Sequence, residues 1–205
     1  MHPVLAKAIH PVAEQIATVT LAEAQVSANS ELRRWSGQEV VEHLILSIQK
    51  SKEELQRRLK SKNSPFYSCT FIQWVIKFQL LWFGSMPRGI PATHSLSPHR
   101  IVAQDGPALA ARLLSEAEEL SKVLAECRIA FGVRPCGNHP IYGPLRVEEW
   151  RMYHAVHCRH HMQQFKEAID FARKHPVSQR QPEASVAPVD AYAEEKTELP
   201  PLKHE

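Results

Sequence analysis

Trp150-Arg-Met-Tyr-His-Ala-Val-His-Cys-Arg-His-His-Met-Gln-Gln-Phe165 carries histidines at 154, 157, 160 and 161, four of the twelve in the chain. The stretch has no Gly or Pro, and its bulky or apolar residues (Trp150, Tyr153, Val156, Met162, Phe165, Ile169) recur at helical spacing. That pattern predicts an amphipathic helix beginning near Val147. Residues four apart on a helix stand on one face with Cβ atoms about 5–6 Å apart, close enough for two imidazoles to meet one metal ion. His157 and His161 have that spacing. His154 lies about 10 Å from His161 along the axis, so 154, 157 and 161 cannot all ligate one ion without distortion. His154 with Cys158 is a competing i,i+4 pair of suitable ligand types. His160 points about 100° away from His161 and reads as a surface or supporting residue.

Outward from that helix, the rest of the chain reads as more helices. Leu5, Ile9, Val12, Ile16 and Val19 mark a first helix from Val4 to about Ala28, kinked or restarted at Pro11. Ser36 and Glu39 form a capping box that opens a second helix, with Val40, Leu44, Ile48, Leu55 and Leu59 along one side and a basic end from Arg57 to Lys62. After a break at Asn63-Ser64-Pro65 comes a short aromatic segment of Phe71, Trp74, Val75, Phe78, Leu81 and Trp82. It reads most simply as core, the alternatives being the wall of an apolar pocket or a face that docks on a membrane or a partner. Gly84 to Pro98 is a loop crossing the surface. Asp105-Gly-Pro107 opens another helix, with Leu109, Leu113, Ala117, Leu120, Leu124 and Cys127 on its stripe. Gly132 to Pro144 is a second loop. Five helical segments without a convincing strand predict an all-α fold, four long helices around one core, with loops long enough for a crossover.

Composition sets the outer limits. A chain of 205 residues and 23.3 kDa suits one helical domain over residues 1–174 and a flexible tail over 175–205. A net charge of +3 with scattered basic residues does not suggest nucleic acid. Cys69, Cys127, Cys136 and Cys158 form no CxxC pair, and no apolar segment follows the start, so a cytoplasmic protein is expected. The run from Phe71 to Phe83 is shorter than the roughly 20 residues needed to cross a bilayer. HExxH, Glu-x-x-His, GxGxxG, the Walker loop and GxSxG are all missing, which argues against the common protease, di-iron, nucleotide-binding and hydrolase-elbow readings.

A bundle builds sites where facing helices converge, so His157 and His161 need a third ligand from another helix. His43, just off the apolar stripe of the second helix, is the best placed. Three neutral imidazoles leaving one position open is a zinc pattern, and imidazole also suits nickel, iron and copper. A divalent ion there could make a thiol or a water nucleophilic at neutral pH. His160, His139 and Tyr142 are the candidates for proton transfer, although a loop histidine beside proline more often serves structure. The alternative reading is a non-catalytic helical binding protein, with a structural ion or none.

Trp35-Ser-Gly-Gln-Glu-Val-Val-Glu-His43, His139-Pro-Ile-Tyr-Gly-Pro-Leu145, Trp150 and His157-Cys-Arg-His-His-Met-Gln-Gln-Phe165, in that order, resemble the DinB-like, or YfiT-like, superfamily of metalloenzyme folds. The closest likeness is to a branch with a His-Pro-x-x-Gly-Pro-Leu loop. The resemblance covers roughly residues 1 to 174. It implies a four-helix bundle with a long crossover and a divalent ion, zinc foremost and nickel or iron as alternatives, on His43, His157 and His161. Relatives of this kind include S-transferases that use low-molecular-weight thiols and thiol-dependent isomerases, and homodimers are common among them, so the expected activity is that of a metal-dependent thiol S-transferase or a hydrolase acting on a small molecule. Two features depart from the family pattern. Arg146 stands where relatives often have a hydroxyl residue before the last helix, and the tail has no counterpart.

Overall fold

The computed structural model describes residues 1–29, 34–61, 68–87, 94–98 and 102–175. It is mainly helical. Among the described residues six α-helices run α1 (Pro3–Ala17), α2 (Leu21–Ala24), α3 (Gly37–Lys60), α4 (Phe71–Phe83), α5 (Gly106–Phe131) and α6 (Val147–Lys174). Two short antiparallel ribbons join them, β1 (Ser27–Asn29) with β2 (Arg34–Ser36) and β3 (Gly137–His139) with β4 (Gly143–Leu145). The expected tail and the break at Asn63-Ser64-Pro65 lie outside the described residues, the tail from Pro176 onward. Among the described residues no helix is long and apolar enough to cross a membrane.

The four long helices share one core. α3 packs against α5 and α6, and α1 packs against the same two. Leu5, Ile9 and Ile16 of α1, Leu44, Ile48 and Leu55 of α3, Leu109, Leu113 and Leu120 of α5, and Trp150, Phe165 and Ile169 of α6 are all buried together. These are the i, i+3, i+4 positions that a helix presents on one side, so burial follows directly from spacing.

Helix starts follow local chemistry. The Ser36 hydroxyl accepts from Glu39 N–H at 3.2 Å, while the Glu39 carboxylate accepts from Ser36 N–H at 2.7 Å, and Thr70 with Gln73 repeats the device at α4. At α6, Arg146 offers the first turn no acceptor. The Glu149 carboxylate instead reaches back to take Arg146 N–H at 2.8 Å, which satisfies a donor that the missing hydroxyl residue leaves no worse off.

Three expectations need correction. The first helix stops at Ala17 rather than Ala28, and it runs through Pro11. Its end is chemical: the Thr18 hydroxyl donates to the Gln15 carbonyl at 2.8 Å, and Thr20 starts α2 with a reciprocal box to Glu23. β-Branched residues with competing hydroxyls favour this break. Second, the described residues include four short strands where no strand was expected. Each has three residues, too few for alternation to show. Third, the aromatic stripe of α4 is not core. Leu80 is the helix's buried residue, with Ile76 packed on the core beside it. Lys77 Nζ and Gln73 Nε2 donate to the carbonyls of Pro144 and Pro140 at 2.6 and 3.3 Å, and the aromatic side faces outward.

Candidate metal centre

The site forms where α3 meets α6. The capping box at Ser36 fixes the start of α3, and His43 follows two turns later, against the apolar residues Val40, Val41 and Leu44 that anchor the helix in the core. His157 and His161 project from one face of α6, held by Trp150, Phe165 and Ile169. The fold thus brings the three sequence-predicted ligands together: one nitrogen from each of His43, His157 and His161 lies within 4.8 Å of the others. His43 Nε2 and His157 Nε2 are 3.2 Å apart. The ring centres of His161 are 4.6 Å from those of both His43 and His157.

These distances fit an ion. Two nitrogens at about 2.0–2.1 Å from a tetrahedral zinc stand about 3.3–3.4 Å from one another, and the His43–His157 pair is already at that separation. The longest separation in the group therefore involves His161. Among the described residues no fourth His, Cys, Asp or Glu joins the group. The three could hold a metal ion.

Supporting contacts orient the rings. The Leu96 carbonyl, in a 3₁₀ turn at His94–Leu96, accepts from His43 Nδ1 at 2.8 Å. The Gln164 side-chain carbonyl accepts from His161 Nδ1 at 2.8 Å. Both bonds place the proton on Nδ1 and leave Nε2 free to ligate, the arrangement that metal-binding histidines use. The third ring, His157, lies parallel to Tyr153 at 5.3 Å, and the Tyr153 hydroxyl bonds to Ser47 of α3 at 3.0 Å. Trp35 packs beside His43, 4.9 Å between ring centres.

Burial keeps the site neutral. Desolvation is the main cause that lowers the pKa of His43, that drives His157 well below its ordinary value, and that holds His161 at about 4. Positive charge on neighbouring imidazoles adds to the shift at His157 and His161. Neutral imidazole is the ligating form, so the three are ready for a cation at neutral pH.

The remaining candidates fall elsewhere. The His139 Nδ1 accepts the amide protons of Ile141 and Tyr142 at 3.1 and 3.3 Å, so its lone pair is committed to the tight turn between β3 and β4. It is a structural residue, held neutral by burial with a pKa of about 3. Tyr142 is buried beside it, its hydroxyl pushed up to about 12 by desolvation. His154 is fully buried among Trp150 and Tyr153, with its Nε2 unpartnered. Neither it nor Cys158 belongs to a group of three potential ligands among the described residues. His160 packs edge-on against His161, 5.0 Å between ring centres. Sequence reasoning did not reach Ser47, Leu96 or Gln164. Gln164 at i+3 from His161 and Ser47 at i+4 from His43 were readable from helical spacing, but a main-chain carbonyl such as that of Leu96 leaves no trace in a sequence.

A family model described as a protein of unknown function (DUF1569) matches residues 7–168, a span that takes in all three histidines. No curated protein and no solved structure matches the chain.

Proposed function

The chain belongs to the DUF1569 family of proteins of unknown function, and we propose that it is a metal-dependent enzyme acting on a small molecule, as a thiol S-transferase or a hydrolase. The fold that goes with this reading is a four-helix bundle of the DinB-like kind with a long crossover, zinc being the foremost ion. The observation that carries it is the convergence of His43, His157 and His161 with Nδ1 protons turned outward on two of them. A divalent ion held there would supply Lewis acidity, making a thiol or a water nucleophilic at neutral pH. His43 and His157, deeply buried, orient the site and exclude water from its inner side. His160, whose ring packs edge-on against His161, is the candidate to take a proton from an incoming nucleophile. A set of three candidate protein ligands favours chemistry over a closed structural site, which would use four.

The test begins with elemental analysis of protein purified without a nickel column. About one divalent ion per chain is expected, lost in His157→Ala; less than about 0.2 ion per chain, unchanged in the variant, overturns the proposal. Cobalt substitution then separates the readings. A small thiol that adds a sulfur-to-cobalt absorption band supports the transferase, whereas a spectrum perturbed by azide but not by thiols supports the hydrolase. A spectrum that neither changes points to a structural ion.

A further inference from the structure

α4 shows its most hydrophobic side to solvent. Phe71, Trp82 and Ile72 are 77, 76 and 70% exposed, and Trp74, Val75, Phe78 and Phe83 are exposed with them. Four rings, Phe71, Trp74, Phe78 and Trp82, form a continuous ladder with centres 6.2, 5.9 and 5.6 Å apart and planes within about 21° of one another. Aromatic side chains of this kind offer on the order of 150–250 Å² each, so the seven residues present roughly 800 Å² of contiguous apolar surface. A typical monomer shows a largest patch of about 300–600 Å². Helical spacing places Leu80, which is buried, on the opposite side, so α4 is already docked on the protein and the ladder remains for something else.

We propose that the aromatic face of α4 is the interface of a homodimer, pairing with the same face of a second copy. Area is the first argument: roughly 800 Å² from each chain makes the total of about 1,600 Å² that a stable, specific interface buries. Composition is the second, because the centre of such interfaces is rich in Trp and Phe and poor in charge. The helix carries a single charged residue, Lys77, and its ammonium is committed to the Pro144 carbonyl and to Glu149 at 3.6 Å. A helix that lies on a membrane needs a cationic flank for the lipid phosphates, and α4 has none to spare. A ladder of like rings on one helix matches itself under a two-fold axis, where each copy offers what the other needs.

Sedimentation velocity of the full chain between about 1 and 100 µM is the direct test, for a dissociation constant at or below micromolar. A species of twice 23.3 kDa is expected. Trp82→Glu and Phe78→Glu should each weaken it by at least about 30-fold, as loss of a central aromatic contact does, with helical circular dichroism unchanged. A wild-type chain that stays monomeric at about 100 µM overturns the proposal, as does a dimer indifferent to both substitutions. Flotation of the wild-type monomer with phosphatidylcholine–phosphatidylserine vesicles also overturns it, in favour of a lipid surface. Should the variants fail to fold, Cys69 decides. It is the exposed cysteine, next to the cap of α4, whereas Cys127, Cys136 and Cys158 are buried. Spin labels there in the otherwise native chain should couple between copies within about 40 Å, given a helix of about 20 Å, and no coupling refutes the pairing.

Discussion

Two buried histidines make this protein sensitive to mild acid. His139 and His154 sit in apolar surroundings, and desolvation holds both at a pKa of about 3, against about 6.5 in an unfolded chain. Above pH 6.5 both states carry neutral imidazoles and the shift has no effect. Below it the unfolded state binds protons that the folded state refuses, so stability falls with pH by about 1.4 kcal/mol per unit for each histidine. From pH 7 to pH 5 each contributes a loss of about 2 kcal/mol, and the pair about 4 kcal/mol, from a total stability that is usually about 5–15 kcal/mol. With a urea m-value near 2 kcal/mol per M, the unfolding midpoint of metal-stripped protein should drop by about 2 M over that range. His43, His157 and His161 are shifted in the same direction, so this is a lower bound. His154→Phe isolates one contribution: the drop should shrink by about half, and the variant should gain on the wild type at pH 5, since it also removes an unpartnered buried Nε2. A wild-type midpoint that moves by less than about 0.5 M between pH 7 and 5 would refute the burial argument for both residues.

Other consequences can be measured alongside. Zinc at about 100 times its dissociation constant should stabilise the fold by about 2.7 kcal/mol, raising Tm by about 5–10 °C, and His43→Ala should abolish that rise; an undiminished rise in the variant places the ion elsewhere. Gln164→Ala removes the acceptor that holds His161 and should weaken zinc binding about 10-fold by competitive chelation with no loss of helicity, whereas unchanged affinity means that the ring needs no orienting. Gly106→Ala forces a Cβ to within 2.1 Å of the Ile16 carbonyl oxygen and 2.5 Å of that of Val19. It also disturbs the Gly106 N–H bond to Val19, so a destabilisation of about 3 kcal/mol or more is expected in thermal melts, and a loss under about 1 kcal/mol contradicts the close approach of α5 to the end of α1.

What could be read from the sequence was what local chemistry encodes. Ser36 and Glu39, Asp105 with Pro107, and the start at Val147 each marked a helix to within a residue, because caps and first turns use side chains that the sequence displays. The end of α1 escaped because the apolar stripe continues past it to Val19, which is buried but lies outside the helix. α4 was misread for a related reason. Periodicity establishes that a helix has an apolar side, yet says nothing about whether this chain supplies the partner. Its buried side is small, Leu80 with Ile76, while the larger apolar side has no covering element among the described residues. His43, His157 and His161 were legible because two share a face and the third lies beside a stripe whose direction the core fixes.

Proton placement separates a metal centre from an ordinary hydrogen-bonded cluster of histidines. The Leu96 carbonyl can only accept, so His43 carries its proton on Nδ1 and turns a bare Nε2 lone pair inward. His161, donating to the Gln164 oxygen, is left with the same deficit at its own Nε2. His157, neutral by burial, can present at most one N–H, which satisfies the His43 nitrogen 3.2 Å away and none other. At least one inward lone pair therefore has no donor from the triad, and a fourth proton cannot be added cheaply where desolvation and mutual repulsion already keep every ring uncharged. A cation shared by the three would meet that lone pair without the addition of a proton. The longest separation, up to 4.8 Å, lies at His161, beside a pair already at the spacing that two nitrogens on one tetrahedral ion would have.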